Sequence, residues 1–251
     1  MRFSSLSSHG PDATARELLT EVRPRERAPE ARPFVFLNMV ESVDGRAQVN
    51  GRAAELGEEA DLEMLLELRT LADAVLIGPG TVRAEGYARL VGSEERRAYR
   101  TSLGLPEDPP AVLLSRNFDI PWEAGLFEAP EQPVLVYTSG EVEAEAPATV
   151  APVEVVRLAD PTPEAMLADL RSRGIVALLS EGGPTLNSAL LEARVVDELF
   201  LTIAPVITGD PVALRIVEGR GLSTQLRARP VWVLRAQGEL FLRYALEVPA
   251  P

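Results

Sequence analysis

Apolar residues fall in short runs broken by polar, glycine-marked segments, and these runs alternate with stretches of helical spacing. Phe34-Val-Phe-Leu-Asn-Met-Val40 is the first such run and reads as a buried strand. Residues 41–58 are rich in Gly, Asn and charge and read as a loop. Leu62, Leu65 and Leu66, together with Met64, Leu68 and Leu71, then recur at helical spacing behind first-turn acids, which predicts a helix over 59–72. Ala74-Val-Leu-Ile77 is the next strand and ends at Gly78. Residues 93–110 are polar, charged and Pro-bounded, and read as a surface excursion.

Further strands are expected at 111–115, 133–138 and 153–156, with the acidic stretch 141–152 as a variable loop or short helix. Thr162 suits an N-cap, Pro163 the first helical position, and Gly174 the end of that helix. A strand at 175–179 leads into Ser180-Glu-Gly-Gly-Pro184, a helix over 185–193 and a strand over 196–204. Runs at 231–235 and 240–247 flank Gln237-Gly238 and predict an antiparallel hairpin. This order argues for an α/β fold whose central sheet is mainly parallel with an antiparallel finish. Residues 1–33 mix four prolines, six arginines and five acids with little apolar periodicity. They are expected to form a flexible or loosely docked tail, with a short helix around 15–22, ahead of one domain over 34–251.

Composition narrows the chemistry. The 251 residues are 46% apolar and 25% charged, enough for one α/β domain that needs no disulfide or metal to hold its core. A formal net charge of −13 disfavours nucleic acid and anionic membrane, so any anionic ligand must be held by local donors. With no cysteine there is no disulfide framework, thiolate nucleophile or Cys/His zinc site. The one histidine, His9, lies in the tail and argues against a serine–histidine triad. No apolar run is long enough for a membrane span and no signal core is present, which predicts a soluble cytoplasmic protein. The chemistry that remains is that of a cofactor supplying the reactive atom.

Four segments offer sites for it. Gly182-Gly183 lies between an apolar strand and a helix opening at Pro184-Thr185-Leu186. Glycines allow close backbone approach and the helix start presents N–H donors, as a pyrophosphate requires; an ordinary tight turn is the alternative. Gly78-Pro-Gly80-Thr81-Val82 is a second glycine turn after a strand, with Arg83 where a dinucleotide fingerprint has its third glycine. Ser115-Arg116 ends a strand with a hydroxyl and a guanidinium, a pair suited to the 2′-phosphate of NADPH. Ser42-Val-Asp44-Gly45 places a carboxylate at a strand end, where open α/β sheets bind ligands, unless it merely caps a turn. Arg69 shares a helix face with Leu62, Leu65 and Leu66, so it either pairs with a carboxylate or faces a cleft as a phosphate contact.

Ser42-Val-Asp-Gly45, Leu65-Leu-Glu-Leu-Arg69, Ala72-Asp-Ala-Val-Leu-Ile-Gly78, Gly80-Thr-Val82, Glu181-Gly-Gly-Pro-Thr-Leu186 and Val196-Asp-Glu-Leu199 follow in an order that resembles the reductase domain of RibD. The resemblance runs from about Phe34 to the C-terminus and is nearest to stand-alone actinobacterial pyrimidine reductase-like proteins. It implies a dihydrofolate-reductase-like three-layer α/β/α fold and a homodimer. The activity it implies is NADPH-dependent reduction of 5-amino-6-(5-phosphoribosylamino)uracil or its diaminopyrimidinone relative, in riboflavin biosynthesis. A pterin or other imine reductase, or a non-catalytic NADPH-binding protein, is the alternative. Carried over by motif, Gly78, Gly80, Thr81, Val82, Glu85, Ser115, Arg116 and Gly182 to Leu186 (Gly183, Pro184 and Thr185 among them) would hold NADPH. Arg69, Glu181 and Ser42 would face the substrate, and Asp44 would be the catalytic residue at the cleft floor; no metal is implied. Glu85 stands where the family has aspartate, Tyr87 near its proline, and Leu90 is followed by Val91-Gly92 where the family has Thr-Val-Arg. The family's zinc deaminase partner domain lacks its cysteine ligands here.

Overall fold

The computed structural model describes residues 4–5, 12–219 and 221–247, so His9 and the first residues of the expected tail lie outside it. In chain order the elements begin with β1 (Ser4–Ser5), α1 (Ala15–Leu19), β2 (Phe34–Ser42), α2 (Glu59–Leu71) and β3 (Ala74–Ile77). They continue with α3 (Pro79–Glu85), α4 (Glu94–Ser102), β4 (Ala111–Leu114), β5 (Val134–Ser139), β6 (Val153–Leu158) and α5 (Pro163–Ser172). The chain finishes with β7 (Ala177–Ser180), α6 (Pro184–Glu192), β8 (Glu198–Ala204), β9 (Arg227–Ala236) and β10 (Glu239–Glu247). Two compact units result: one of residues 1–23, 35–68 and 182–251, the other of 24–34 and 69–181.

In the second unit β7, β3, β4, β5 and β6 pair in that order, all parallel. Strands β3 and β7 are buried throughout, as expected of apolar runs covered on both faces. Thr162 caps α5 by accepting from the Ala165 N–H, Pro163 opens the helix, and Gly174 leaves it with φ +87°.

In the first unit β2 pairs parallel with β8, and β8, β10 and β9 pair antiparallel. The turn at Gln237-Gly238 is the one expected. Alternation along β8, β9 and β10 sends Phe200, Trp232, Leu234 and Phe241 into the core, where Phe200 meets Phe36 and Trp232 edge-on. Glu198 and Arg243 form a buried bidentate pair beside them at 2.8 and 2.9 Å. The other face carries Leu199, Leu201, Ile203, Leu240, Leu242 and Tyr244, all only partly buried. Val231 is 39% exposed whereas Phe241 is buried.

One expectation is corrected. Residues 93–110 are not a mere excursion: α4 runs through them, capped by Ser93, and Arg100 is completely buried. It is buried because it donates to the carbonyls of Arg69, Ala72 and Pro106 at 2.7–2.8 Å, closing the C-terminal end of α2. Burial pushes its guanidinium down to about 10. The described part of the expected tail is docked: Thr14 and Glu17 form a capping box, and Ala15, Leu19 and Val22 are buried. Arg16 grips Glu67 of α2 through two bonds, at 2.9 and 3.1 Å.

Candidate active site

Within the second unit the site grows from the end of β7 and the last turns of α2. Glu181 follows β7 directly, and its N–H donates to the Leu76 carbonyl of β3 at 2.9 Å, which fixes where its side chain starts. Arg69 meets it fork to fork: Nε donates to Oε1 at 2.7 Å and Nη2 to Oε2 at 2.8 Å. The pair is 11% and 3% exposed. Burial opposes the Arg69 charge, but Glu181 outweighs it and holds the guanidinium above its ordinary range. The remaining Arg69 group, Nη1, donates to the Leu90 carbonyl at 2.9 Å.

Tyr87, on the loop after α3, completes the cluster. Its hydroxyl donates to Glu181 Oε2 at 2.6 Å, and its ring lies 5.6 Å from the Arg69 guanidinium carbon. Burial, reinforced by Glu181, raises the Tyr87 phenol well above its ordinary value, so it holds its proton at neutral pH. Sequence reasoning recorded Tyr87 only as a departure from a motif. The Leu90 N–H is held in turn by buried Gln132, Oε1 at 3.0 Å, so the strip leading away from Tyr87 is tied on both sides.

Arg69 therefore takes the carboxylate-paired option, with each of its three nitrogens making a hydrogen bond. A bidentate phosphate contact through the Nε/Nη2 edge of Arg69 is not available in this arrangement, because Glu181 already fills that edge.

The Gly78 segment is helical, not a free turn. Gly78 is the N-cap of α3 with Pro79 at the first position, and the Thr81 and Val82 N–H groups both donate to the Gly78 carbonyl. Gly80 is exposed, Thr81 partly buried, and Glu85 ends the helix. Past β4, Ser115 Oγ donates to the Asp119 carbonyl at 3.4 Å, and Arg116 Nη2 pairs with Asp160 at 2.8 Å, both members being well exposed.

The first unit holds the other expected residues. The backbone of Gly182 has φ +78°, and a Cβ there would stand 3.1 Å from Met39 Sδ and 3.2 Å from Asn187 Nδ2, so any other residue is strained there. The Gly182–Gly183 peptide is cis. Gly183 is the N-cap of α6 without a side-chain cap, and Pro184 takes the first helical position. Asn187 already donates its N–H to the Gly183 carbonyl, which leaves the Thr185 and Leu186 N–H groups at the open helix start.

Asp44 Oδ1 accepts from Ser42 Oγ at 2.6 Å and the Thr208 N–H at 3.0 Å; Oδ2 accepts from the Gly209 N–H at 2.9 Å and Thr208 Oγ1 at 3.2 Å. These bonds, that from Ser42 first, hold the carboxyl well below its ordinary range. A carboxylate so placed ties the loop after β2 to residues 208–209 and is no proton donor at neutral pH. The Ser42 hydroxyl orients the Asp44 carboxylate.

Comparison with known proteins places this arrangement. The model of the RibD C-terminal domain matches residues 33–237. The chain belongs to that family. Among RibD C-terminal domain relatives, the 2,5-diamino-6-ribosylamino-4(3H)-pyrimidinone 5′-phosphate reductase of Archaeoglobus fulgidus is 29% identical, the match covering 80% of this chain and 93% of that one. The protein of the same name from Methanothermobacter thermautotrophicus is 31% identical over 76% of this chain and 86% of its own. A pyrimidine reductase-like protein from Corynebacterium diphtheriae superposes with a TM-score of 0.79 at 25% identity, covering 94% of this chain and 100% of that chain. The three-layer α/β architecture, mostly parallel with an antiparallel C-terminal hairpin, is thus the RibD reductase fold expected from the motifs.

Proposed function

We propose that this protein is an NADPH-dependent reductase of a phosphoribosylamino-pyrimidine in riboflavin biosynthesis. The named relatives of nearly the same length support that substrate class. Within the chain, the observation that carries it is the Arg69–Glu181–Tyr87 cluster at the end of β7. A carboxylate fixed by an arginine fork keeps one direction for its remaining lone pairs, which suits the amino groups of a diaminopyrimidine or a ribose hydroxyl.

NADPH fits the donors present. Gly182 excludes any side chain beside Met39, and the uncapped start of α6 offers N–H groups to a pyrophosphate through Gly183, Thr185 and Leu186. In the second unit, Ser115 and Arg116 are a hydroxyl and a guanidinium of the kind that suits a 2′-phosphate, with Asp160 the carboxylate that Arg116 would have to release. When bound, NADPH supplies the hydride delivered to C1′ of the ring-opened sugar. The chain's own share is positioning: Arg69 and Tyr87 hold Glu181, Gln132 and Arg69 hold Leu90, and Asp44 holds the loop after β2.

The partly buried apolar face of β8 and β10, with Val231 beside it, supports a homodimer that covers it. Light scattering at micromolar concentration checks this; a monomer alone removes that part of the reading. The function is tested by following reduced-nicotinamide absorbance with the diaminopyrimidinone phosphate and with dihydrofolate in parallel. Turnover of dihydrofolate alone, or of neither, refutes the substrate assignment.

A further inference from the structure

A phosphorylated substrate needs a cation, and on a chain of net charge −13 that cation has to be local. Around the Arg69–Glu181–Tyr87 cluster most guanidinium groups are spent. Arg69, Arg83, Arg89 and Arg116 each hold a carboxylate oxygen at 2.9 Å or closer. Arg100 is committed to backbone carbonyls and completely buried.

Arg97, on α4, is different. Its Nη1 donates to the Val91 carbonyl at 2.9 Å and the Gly92 carbonyl at 2.8 Å, which uses both hydrogens of that nitrogen. These carbonyls directly follow that of Leu90, which Arg69 holds, so the two arginines grip consecutive peptide units of one strip. What remains of Arg97 is the edge formed by Nε–H and Nη2–H, the two parallel donors that match an oxyanion. The nearest carboxylate is Glu107 at 3.9 Å from Nε, too far for a hydrogen bond. The Glu107 side chain is 64% exposed and free to swing away, whereas that of Arg97 is 17% exposed.

We propose that the Nε/Nη2 edge of Arg97 is the phosphate-binding fork of this protein, taking the 5′-phosphate of the substrate while the corresponding edge of Arg69 is occupied by Glu181. This rests on the proposed function for the identity of the phosphate ester, though not for the presence of an anion site. The carbonyl bonds from Nη1 hold the guanidinium plane still, so little side-chain freedom is lost when the anion arrives. Glu107 acts as the carboxylate that the phosphate displaces.

The test uses the full chain with two variants and two readouts. Arg97→Met keeps the stem; it should raise KM for the phosphorylated substrate by roughly ten- to a hundredfold, the range for a lost charge-assisted contact, with kcat little changed. KM for the dephosphorylated ribosylamino compound should stay where it was, so the preference for phosphate collapses. Glu107→Gln, an exposed change with no folding role, should move the other way and lower KM for the phosphorylated form. Independently of turnover, ribose 5-phosphate should raise the melting temperature of the unaltered chain and of Glu107→Gln but not of Arg97→Met. Ribose 5-phosphate protecting all three equally, or none, overturns the proposal. Loss of protection in Arg97→Met while the pyrimidine is not reduced leaves the fork standing and removes the substrate reading instead.

Discussion

Replacing Glu181 by glutamine separates what the buried pair does for the fold from what it does for the reaction. Glutamine keeps the shape but offers one acceptor oxygen where two are used. If that oxygen takes the Oε2 position, it still accepts from Arg69 Nη2 and the Tyr87 hydroxyl, but the new NH2 faces the Arg69 Nε–H; turned over, it serves Nε and strands the other two donors. Either way a guanidinium only 11% exposed loses its counter-charge. Removing one member of such a pair costs about 3–5 kcal/mol, and the retained hydrogen bond puts this variant near the lower end. For a chain of this size that is a fall of roughly 6–12 °C in melting temperature.

The partner experiment removes the network together: Arg69→Met, Glu181→Leu and Tyr87→Phe. With no charge left buried, most of the lost stability should return. Activity should not. Thermal unfolding and steady-state kinetics on the two proteins decide the matter. A melting temperature within a degree or two of the original in Glu181→Gln refutes the energetic argument. A triple variant with full kcat/KM makes the cluster scaffold and removes it from the reaction.

Other outcomes follow from single sites. Burial pushes the Asp61 carboxyl from 3.8 up to about 6, so the folded state binds more protons than the unfolded one between those values. The contribution of this group to stability should therefore be fully present below about pH 4 and be lost as pH rises through about 6, by up to about 3 kcal/mol; urea titrations across that range should show this component absent in Asp61→Asn. Gly182→Ala forces a left-handed alanine and a Cβ 3.1 Å from Met39 Sδ, and should cost about 1–3 kcal/mol and weaken NADPH binding in a fluorescence titration. Arg116→Ala should weaken NADPH and leave NADH nearly unchanged; equal loss for both takes Arg116 out of the 2′-phosphate role.

Most strands were legible because they are short apolar runs, a local feature; β1 was not, and β9 begins at Arg227, ahead of its apolar run. Helix α2 was legible too, although Met64 and Leu68, with Ala60, form its buried face while Leu62 is exposed. What escaped depends on partners distant in sequence. The polarity of α4 pointed to solvent, yet Arg100 goes inward because α2 ends there with open carbonyls. Glu181 lies 112 residues from Arg69, so the choice between a paired and a cleft-facing arginine could not be made from one helix face. The short helix expected around 15–22 is α1, and its docking carried a further local signal in the Thr14/Glu17 capping box at its start, with Ala15, Leu19 and Val22 buried.

One property of the sequence connects these outcomes. All 25 basic residues are arginine, and lysine is absent. A lysine ammonium is a point charge that pairs with one group at a time, whereas a guanidinium presents a planar set of donors along fixed directions. The chain uses that planarity repeatedly. Arg16, Arg69, Arg89 and Arg243 each grip a carboxylate through Nε and Nη2 together. Arg100 spreads its donors over several carbonyls at one helix end. Arg97 needs the same geometry for a different end: two hydrogens fasten it to backbone while a separate edge stays open. Lysine at position 97 could hold the strip or an anion, but not both in a fixed orientation. Arg97→Lys should therefore retain stability and lose most of the preference for phosphate, a result that charge alone does not predict.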